Sequence, residues 1–224
     1  MKRFPGYREL SISTDVVVFT VHDDALNVLL IKRAKVPFKG AWALPGGFPR
    51  TGETLTGTVE RVLREKSGVR GVYVEQLYTF DSSGRDPRGD IPSVAYVALV
   101  PVSRLKPRTS ATLQSPTLFP ASRPPKLAFD HKRIIGYALK RVRAKLGYTN
   151  AAYSLLPRTF TLTELQRVYE AVLGRKLDKR NFRKKFLSLG LIRSTGRTTK
   201  GGQRRPARLY AFVSKQPTEL TKAL

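Results

Sequence analysis

Four runs in the first hundred residues are built from β-branched and aromatic side chains: DVVVFTV at 15–21, NVLLIK at 27–32, GVYVEQLYTF at 71–80 and SVAYVALV at 93–100. Val, Ile, Tyr and Phe favour the pleated, half-buried surface of a sheet, so each run predicts a strand. One stretch breaks the pattern. From Glu53 to Lys66 the apolar residues Leu55, Val59, Val62 and Leu63 recur at helical intervals, and a helix is predicted there. Past residue 126 the period changes for good. Ile134, Ile135, Ala138, Leu139, Val142 and Leu146 fall on one helical stripe across 131–146, with Asp130 placed as its N-cap. Thr161 and Glu164 have the spacing of a capping box, opening a helix that Gly174 closes. Asp178 opens another, ended by Gly190. Two short helices joined by about four residues form a helix-turn-helix. The following LIRSTGRTTKGGQRRPARLYAFV reads as strand, basic loop and strand, the outline of a wing.

Between the two patterns lies SRLKPRTSATLQSPTLFPASRPPK, residues 103–126, with five prolines and no acidic residue. Such a composition predicts a loop or linker. Charge separates the two halves further. The chain carries a net charge of +26, with 14 basic against 11 acidic residues in 1–100 and 28 against 5 in 101–224. Basicity confined to one half attracts polyanions, and nucleic acid is a better account of it than a merely solubilising surface. The absence of cysteine excludes disulfides, thiolate metal sites and cysteine nucleophiles within the chain. No apolar run approaches the roughly 18–20 residues of a membrane span, and MKRFPGYRELSIS lacks the apolar core of a signal peptide. A cytoplasmic protein without membrane contact is the expectation. His22, beside Asp23 and Asp24, belongs to a hairpin turn, and neither it nor His131 has triad-like or metal-like company in sequence.

The chemistry concentrates in GGFPRTGETLTGTVERVLREKSGV, residues 46–69. This segment resembles the Nudix box: Gly47, Glu53, Arg61, Leu63, Glu65, Gly68 and Val69 stand at the spacings of that pattern, and the upstream LLIKRAKVPFKGAWALPGGF resembles the strand and loop leading into it. In a helix, positions i, i+3 and i+4 share a face, so carboxylates at 62, 65 and 66 would converge on one Mg²⁺. Here Val62 and Lys66 replace two of the three. Glu53 and Glu65 are vestiges, no catalytic residue and no metal ligand set is predicted, and no cofactor is required. The segment from Gly84, GRDPRGDIPSVAYVAL, resembles Nudix proteins that handle ADP-ribose. Arg85 and Arg88 are placed to grip a pyrophosphate through guanidinium forks. With Gly46, Gly47, Glu53, Glu65 and Asp86 they make the expected effector site.

The helix after Asp178 has the composition of a recognition helix. Phe182, Phe186 and Leu189 pack inward, leaving Lys179, Arg180, Asn181, Arg183, Lys184 and Lys185 for DNA, with Lys200, Arg204 and Arg205 on the wing. Arg and Asn match guanine and adenine edges, and Lys serves phosphates. FTLTELQRVYEAVLGRKLDKRNFRKKFL, LAFDH at 127–131 and RRPARLYAF at 204–212 are similar to the carboxy-terminal region of Nudix-related transcriptional regulators, the NrtR group among them. The resemblance implies an α+β chain: a Nudix-type α/β/α sandwich with a mixed sheet over 1–128, a connecting helix over 129–149 and a winged helix-turn-helix over 150–224. It further implies a homodimeric, DNA-binding repressor, with ADP-ribose or a related nucleotide or sugar as effector. Two other readings remain open at this point. One is a Nudix hydrolase of ADP-ribose carrying a nucleic-acid tether, against which the lost carboxylates weigh. The other is a charge-driven, non-specific nucleic-acid binder, against which the Asn and Arg pattern weighs.

Overall fold

The computed structural model describes residues 6–7, 9–105, 114–199, 206–214 and 216–219. Strands β1 (Ser13–His22) and β2 (Ala25–Lys32) form a hairpin turned by Asp23 and Asp24, with φ of 50° and 55°. Two consecutive positive-φ residues suit the right-handed twist of the flanking strands, and Asp tolerates that region better than most side chains. Short strands β3 (Trp42–Ala43) and β4 (Gly46–Gly47) lead into helix α1 (Leu55–Ser67), followed by β5 (Tyr73–Phe80), β6 (Ser93–Leu99) and β7 (Gln114–Pro120). β1 pairs β6 in parallel and β2 antiparallel, so the sheet is mixed, in the order β3-β2-β1-β6-β5 with β4 on β1 and β7 on β2.

The interior place of β1 explains its unbroken apolar run, because a strand covered on both faces needs apolar residues on both. Val16 and Val18 join Val59, Val62 and Leu63 of α1 on one side. Val17 and Phe19 face the other, against Ile134, Ala138 and Val142 of helix α2 (His131–Tyr148). The α/β/α sandwich is thus completed by the helix that the sequence marked as a connector.

Two local expectations are corrected. Residues 114–120, inside the expected linker, form β7 and pair with Asn27–Leu30 of β2. As an edge strand, with β2 its one partner among the described residues, β7 accommodates Pro116 and Pro120 without breaking the sheet. The exposed edge of a strand as apolar as β2 selects this pairing, and linker composition alone does not disclose it. Asp130 does precede α2, but its carboxylate makes no cap hydrogen bond and turns instead to Arg85.

Beyond α2 come a 3-10 turn (Ala151–Leu155), helices α3 (Leu162–Leu173) and α4 (Lys179–Ser188), and the antiparallel pair β8 (Ile192–Thr198) and β9 (Arg208–Phe212). The capping box is present, with Thr161 accepting from the Glu164 N–H and Glu164 from the Thr161 N–H, and Asp178 accepts from the Asn181 N–H. Gly174 and Gly190 adopt φ of 71° and 65° where α3 and α4 end. The wing residues Lys200, Arg204 and Arg205 lie outside the described residues. One buried cluster runs from Val17 and Phe19 through α2 to Phe160, Phe186 and Phe212, so the sheet and the winged helix share a core. No helix among the described residues is long and apolar enough to cross a membrane.

Candidate effector pocket and nucleic-acid interface

A cleft of about 380 Å³ opens where β1, β4, the start of α2 and the loop before β6 meet. Its floor is Asp15 on β1, which is 7% exposed. The Ser93 hydroxyl donates to Asp15 Oδ2 at 2.6 Å, His131 Nε2 lies 3.4 Å from Oδ1, and Arg85 Nη2 lies 3.6 Å from Oδ2. Burial by itself raises the Asp15 pKa, but His131, Ser93 and Arg85 together hold it below the ordinary carboxylate value. His131 Nδ1 accepts the Leu44 N–H at 2.9 Å, which leaves the ring proton on Nε2, facing Asp15. α2 therefore begins inside the pocket wall. β4 comes so close to β1 that a Cβ on Gly46 would meet Asp15 Oδ1 at 2.3 Å and the Thr14 carbonyl oxygen at 2.7 Å. Only glycine fits there.

The two arginines expected to grip phosphate differ in role. Arg85 donates through Nη2 and Nε to Asp130 and through Nη1 to the Ile91 carbonyl, and its side chain is 4% exposed. Its fork is already occupied, so it buttresses the pocket and fixes Asp130, in place of gripping a ligand. Arg88 pairs bidentately with Asp86 but stays partly exposed, its guanidinium 5.3 Å from the Phe48 ring centre and 5.9 Å from that of Phe129. Among the pocket residues outside the expected site are Asp15, Lys66 and His131, Arg33, stacked 4.6 Å over Phe129, and the two aromatic rings themselves. Arg33 sits in a loop whose periodicity predicts nothing, and the LAFDH segment was the sole signal near Phe129.

Gly46, Gly47, Arg85, Asp86 and Arg88 line the cleft; Glu53 and Glu65 do not. Glu53 is enclosed by Arg61 Nε and Nη2, both at 2.8 Å, the Thr58 hydroxyl and the Arg50 N–H. These bonds, that of Arg61 foremost, take its pKa down to about 2. Arg61 also donates to the Phe48 carbonyl, so the Glu53–Arg61 pair braces the loop that carries this ring. Glu65 lies 3.6 Å from both Arg61 and Arg50. Val62 is 1% exposed in the core beneath α1. Lys66 donates to the Gly46 carbonyl oxygen at 3.0 Å, an oxygen of the kind a hard cation would seek. An ammonium on that carbonyl, a buried valine and two arginine-bound glutamates do not fit the Mg²⁺ of the box. No group of three metal-capable side chains occurs among the described residues.

The second candidate interface is α4. Phe182 and Phe186 pack on Tyr169 of α3, while Lys179, Arg180, Asn181, Lys184 and Lys185 are exposed. Arg183 is half-buried and its Nη2 donates to Thr163 Oγ1 at 3.2 Å. Asn181 and Lys185, one turn apart, flank a groove against Leu146 and Gly147 at the end of α2. The outward face of α4 is thus led by Arg180 and Lys184.

Comparison with known proteins places these parts. Residues 12–136 match the family model for the NUDIX domain, and residues 152–212 that for the NrtR DNA-binding winged helix domain. A protein of Acinetobacter baylyi (strain ATCC 33305 / BD413 / ADP1), the ADPR responsive transcriptional repressor NtrR, is 37% identical over 206 residues, spanning 90% of this chain and 82% of its own. The crystal structure of Shewanella oneidensis NrtR complexed with a 27mer DNA matches with a TM-score of 0.82 at 34% identity, covering 95% of this chain and 99% of that one. The NUDIX domain of the same Shewanella protein, in a cocrystal structure with ADP ribose, matches with a TM-score of 0.55 at 36% identity, covering 62% and 94%.

Proposed function

The chain belongs to the NrtR family of Nudix-related transcriptional regulators, and from that premise we infer that it is a homodimeric repressor that ADP-ribose releases from its operator. The observation that carries this reading is the placement of α2. Asp130 and His131, where it begins, take part in the pocket network, and Leu146 and Gly147, where it ends, line the groove beside α4. Eighteen residues at about 1.5 Å of rise each span about 27 Å, enough to join one site to the other by a single rigid element. A ligand that favours one setting of α2 weakens DNA binding by its differential affinity for the two settings.

The pocket chemistry suits the effector. Phe48 and Phe129 offer ring faces to a base, and the basic residues around them offer donors to a diphosphate. Residues 1–128 serve as the effector module, 129–149 as the transmitting helix and 150–224 as the DNA module. Gly46, Gly47, Asp86 and Arg88 contact the effector, while Arg85, Glu53 and Glu65 support the walls. Hydrolysis is not part of this function, since the residues at 62 and 66 do not fit a metal.

Anisotropy on operator and scrambled DNA, with and without ADP-ribose, tests the proposal. Two inverted half-sites spaced by about 10 base pairs or a multiple are expected to be protected. ADP-ribose should weaken operator binding by roughly 5- to 150-fold. Equal binding to both DNAs would favour the charge-driven reading. Turnover of ADP-ribose with Mg²⁺ near about 1 s⁻¹ or above would favour the hydrolase.

A further inference from the structure

The pocket's cations are unequally provided for. Arg85 faces Asp130 and Arg88 faces Asp86. Lys66 and Arg33 line the same cleft, and among the described residues neither has a carboxylate within ion-pair distance. Arg33 spends its Nε on the Pro37 carbonyl, and Lys66 donates to Gly46, which leaves an ammonium with three N–H groups two donors in reserve. Both side chains are half-buried. Burial pushes the Lys66 pKa down, Asp15 opposes this, and Arg33 adds to it. Two cations that repel one another beside β4, with the buried Asp15 the carboxylate that acts on both, are costly to desolvate, and the cost falls when an anion joins them. Their position relative to the box is informative. Lys66 stands where the second glutamate of the pair is expected, and its ammonium sits on a backbone oxygen that a divalent cation would take.

We propose that the Lys66 ammonium, with the Arg33 guanidinium, replaces the divalent cation of the ancestral box and seats the phosphates of the ligand, so that a diphosphate ester binds this protein without metal. The proposal rests on the effector reading above for the identity of the ligand, but not for the role of the residue. A lysine carried on α1 has two consequences. It neutralises phosphate charge as the ion would, yet it offers no coordination site at which water could be activated, so binding is separated from hydrolysis. It also frees ligand affinity from the Mg²⁺ concentration.

Calorimetry on the full chain with ADP-ribose, in EDTA and again in Mg²⁺, provides the test. Wild-type affinity should be the same in both buffers. Lys66→Met should lose roughly tenfold or more in either, and Lys66→Arg should recover most of the loss. Lys66→Glu, which reverses the charge at that position, should bind more weakly than Lys66→Met in either buffer. Unchanged affinity in Lys66→Met, or wild-type binding that requires Mg²⁺, overturns the proposal. If wild-type protein takes no ADP-ribose, the effector reading fails, and inorganic pyrophosphate becomes the probe in the same buffers. Metal-independent binding of pyrophosphate that Lys66→Met abolishes then sustains the role of Lys66. Pyrophosphate binding that is absent, or indifferent to Lys66, overturns it.

Discussion

In the effector pocket Arg85 is 4% exposed and bound to Asp130, whereas on α4 Lys179, Arg180, Lys184 and Lys185 stand in solvent with no carboxylate paired to them among the described residues. Both regions present a cluster of cations, and the difference between them follows from solvent. A buried guanidinium must be neutralised and hydrogen-bonded before any ligand arrives, or the fold loses stability. An exposed lysine keeps its water and counter-ions until DNA displaces them. The pocket therefore holds a rigid network in which few cations remain open, and α4 holds many cations, each contributing little alone.

Removing a charged side chain should have very unequal effects on stability in the two regions. Asp130→Ala leaves Arg85 buried beside Asp15 alone, and should cost about 3–5 kcal/mol of stability in urea unfolding. Lys184→Ala on α4 should change stability by less than about 0.5 kcal/mol. If the two variants unfolded at the same urea concentration, the network would not be what holds the pocket together.

On DNA the ranking should reverse. Arg180→Ala should cost roughly 1–3 kcal/mol on the operator and relax preference at one position of each half-site. Lys184→Ala should weaken all sequences alike and reduce the salt slope by about one unit. Asn181 lies on the flank toward α2 and Arg183 leans on Thr163, so alanine at either should cost less operator affinity than at position 180. A larger loss at 181 than at 180 would mean that α4 presents a different face to the groove.

The smallest effect concerns acid. Glu53 titrates at about 2 in the folded chain, below its ordinary value of 4.5. A carboxylate whose pKa is depressed by folding stabilises the protein above the unfolded value, and that contribution disappears as pH falls through the folded value. Between pH 4.5 and about 2, wild-type stability should thus decline more steeply than that of Glu53→Gln. Urea midpoints across this range measure the difference, and parallel curves would show that the Arg61 pairing does not extend to the unfolding equilibrium.

Much of the fold was legible because its signals are local. The capping box at Thr161 and Glu164, the Asp178 cap, the turn at Asp23–Asp24 and the apolar runs of β1, β2, β5 and β6 each depend on neighbours a few residues away. The box was legible for the same reason, since one helix sets the spacing of Arg61, Val62, Glu65 and Lys66, with Glu53 just before its N-cap. The site was legible only in outline. Arg85 and Arg88 do reach the pocket, yet the Arg85 fork is taken up by Asp130 and the Ile91 carbonyl, and Arg33, Phe48 and Phe129, which line the same cleft, were singled out by no motif.

The sequence by itself determined the four long strands of the first half, the helices α1 to α4, the β8–β9 pair and the loss of the metal ligands, because periodicity, caps and fixed spacings act within a turn or a strand. Tertiary structure decided what the charged groups do. It sent the Asp130 carboxylate away from its own helix to an arginine 45 positions earlier, set His131 between Leu44 and Asp15, stacked Arg33 on Phe129 and recruited 114–120 to the edge of β2. In each case desolvation makes an unpartnered polar or charged group costly, and the partner is whichever residue the fold brings within hydrogen-bonding or stacking distance, however distant it is along the chain.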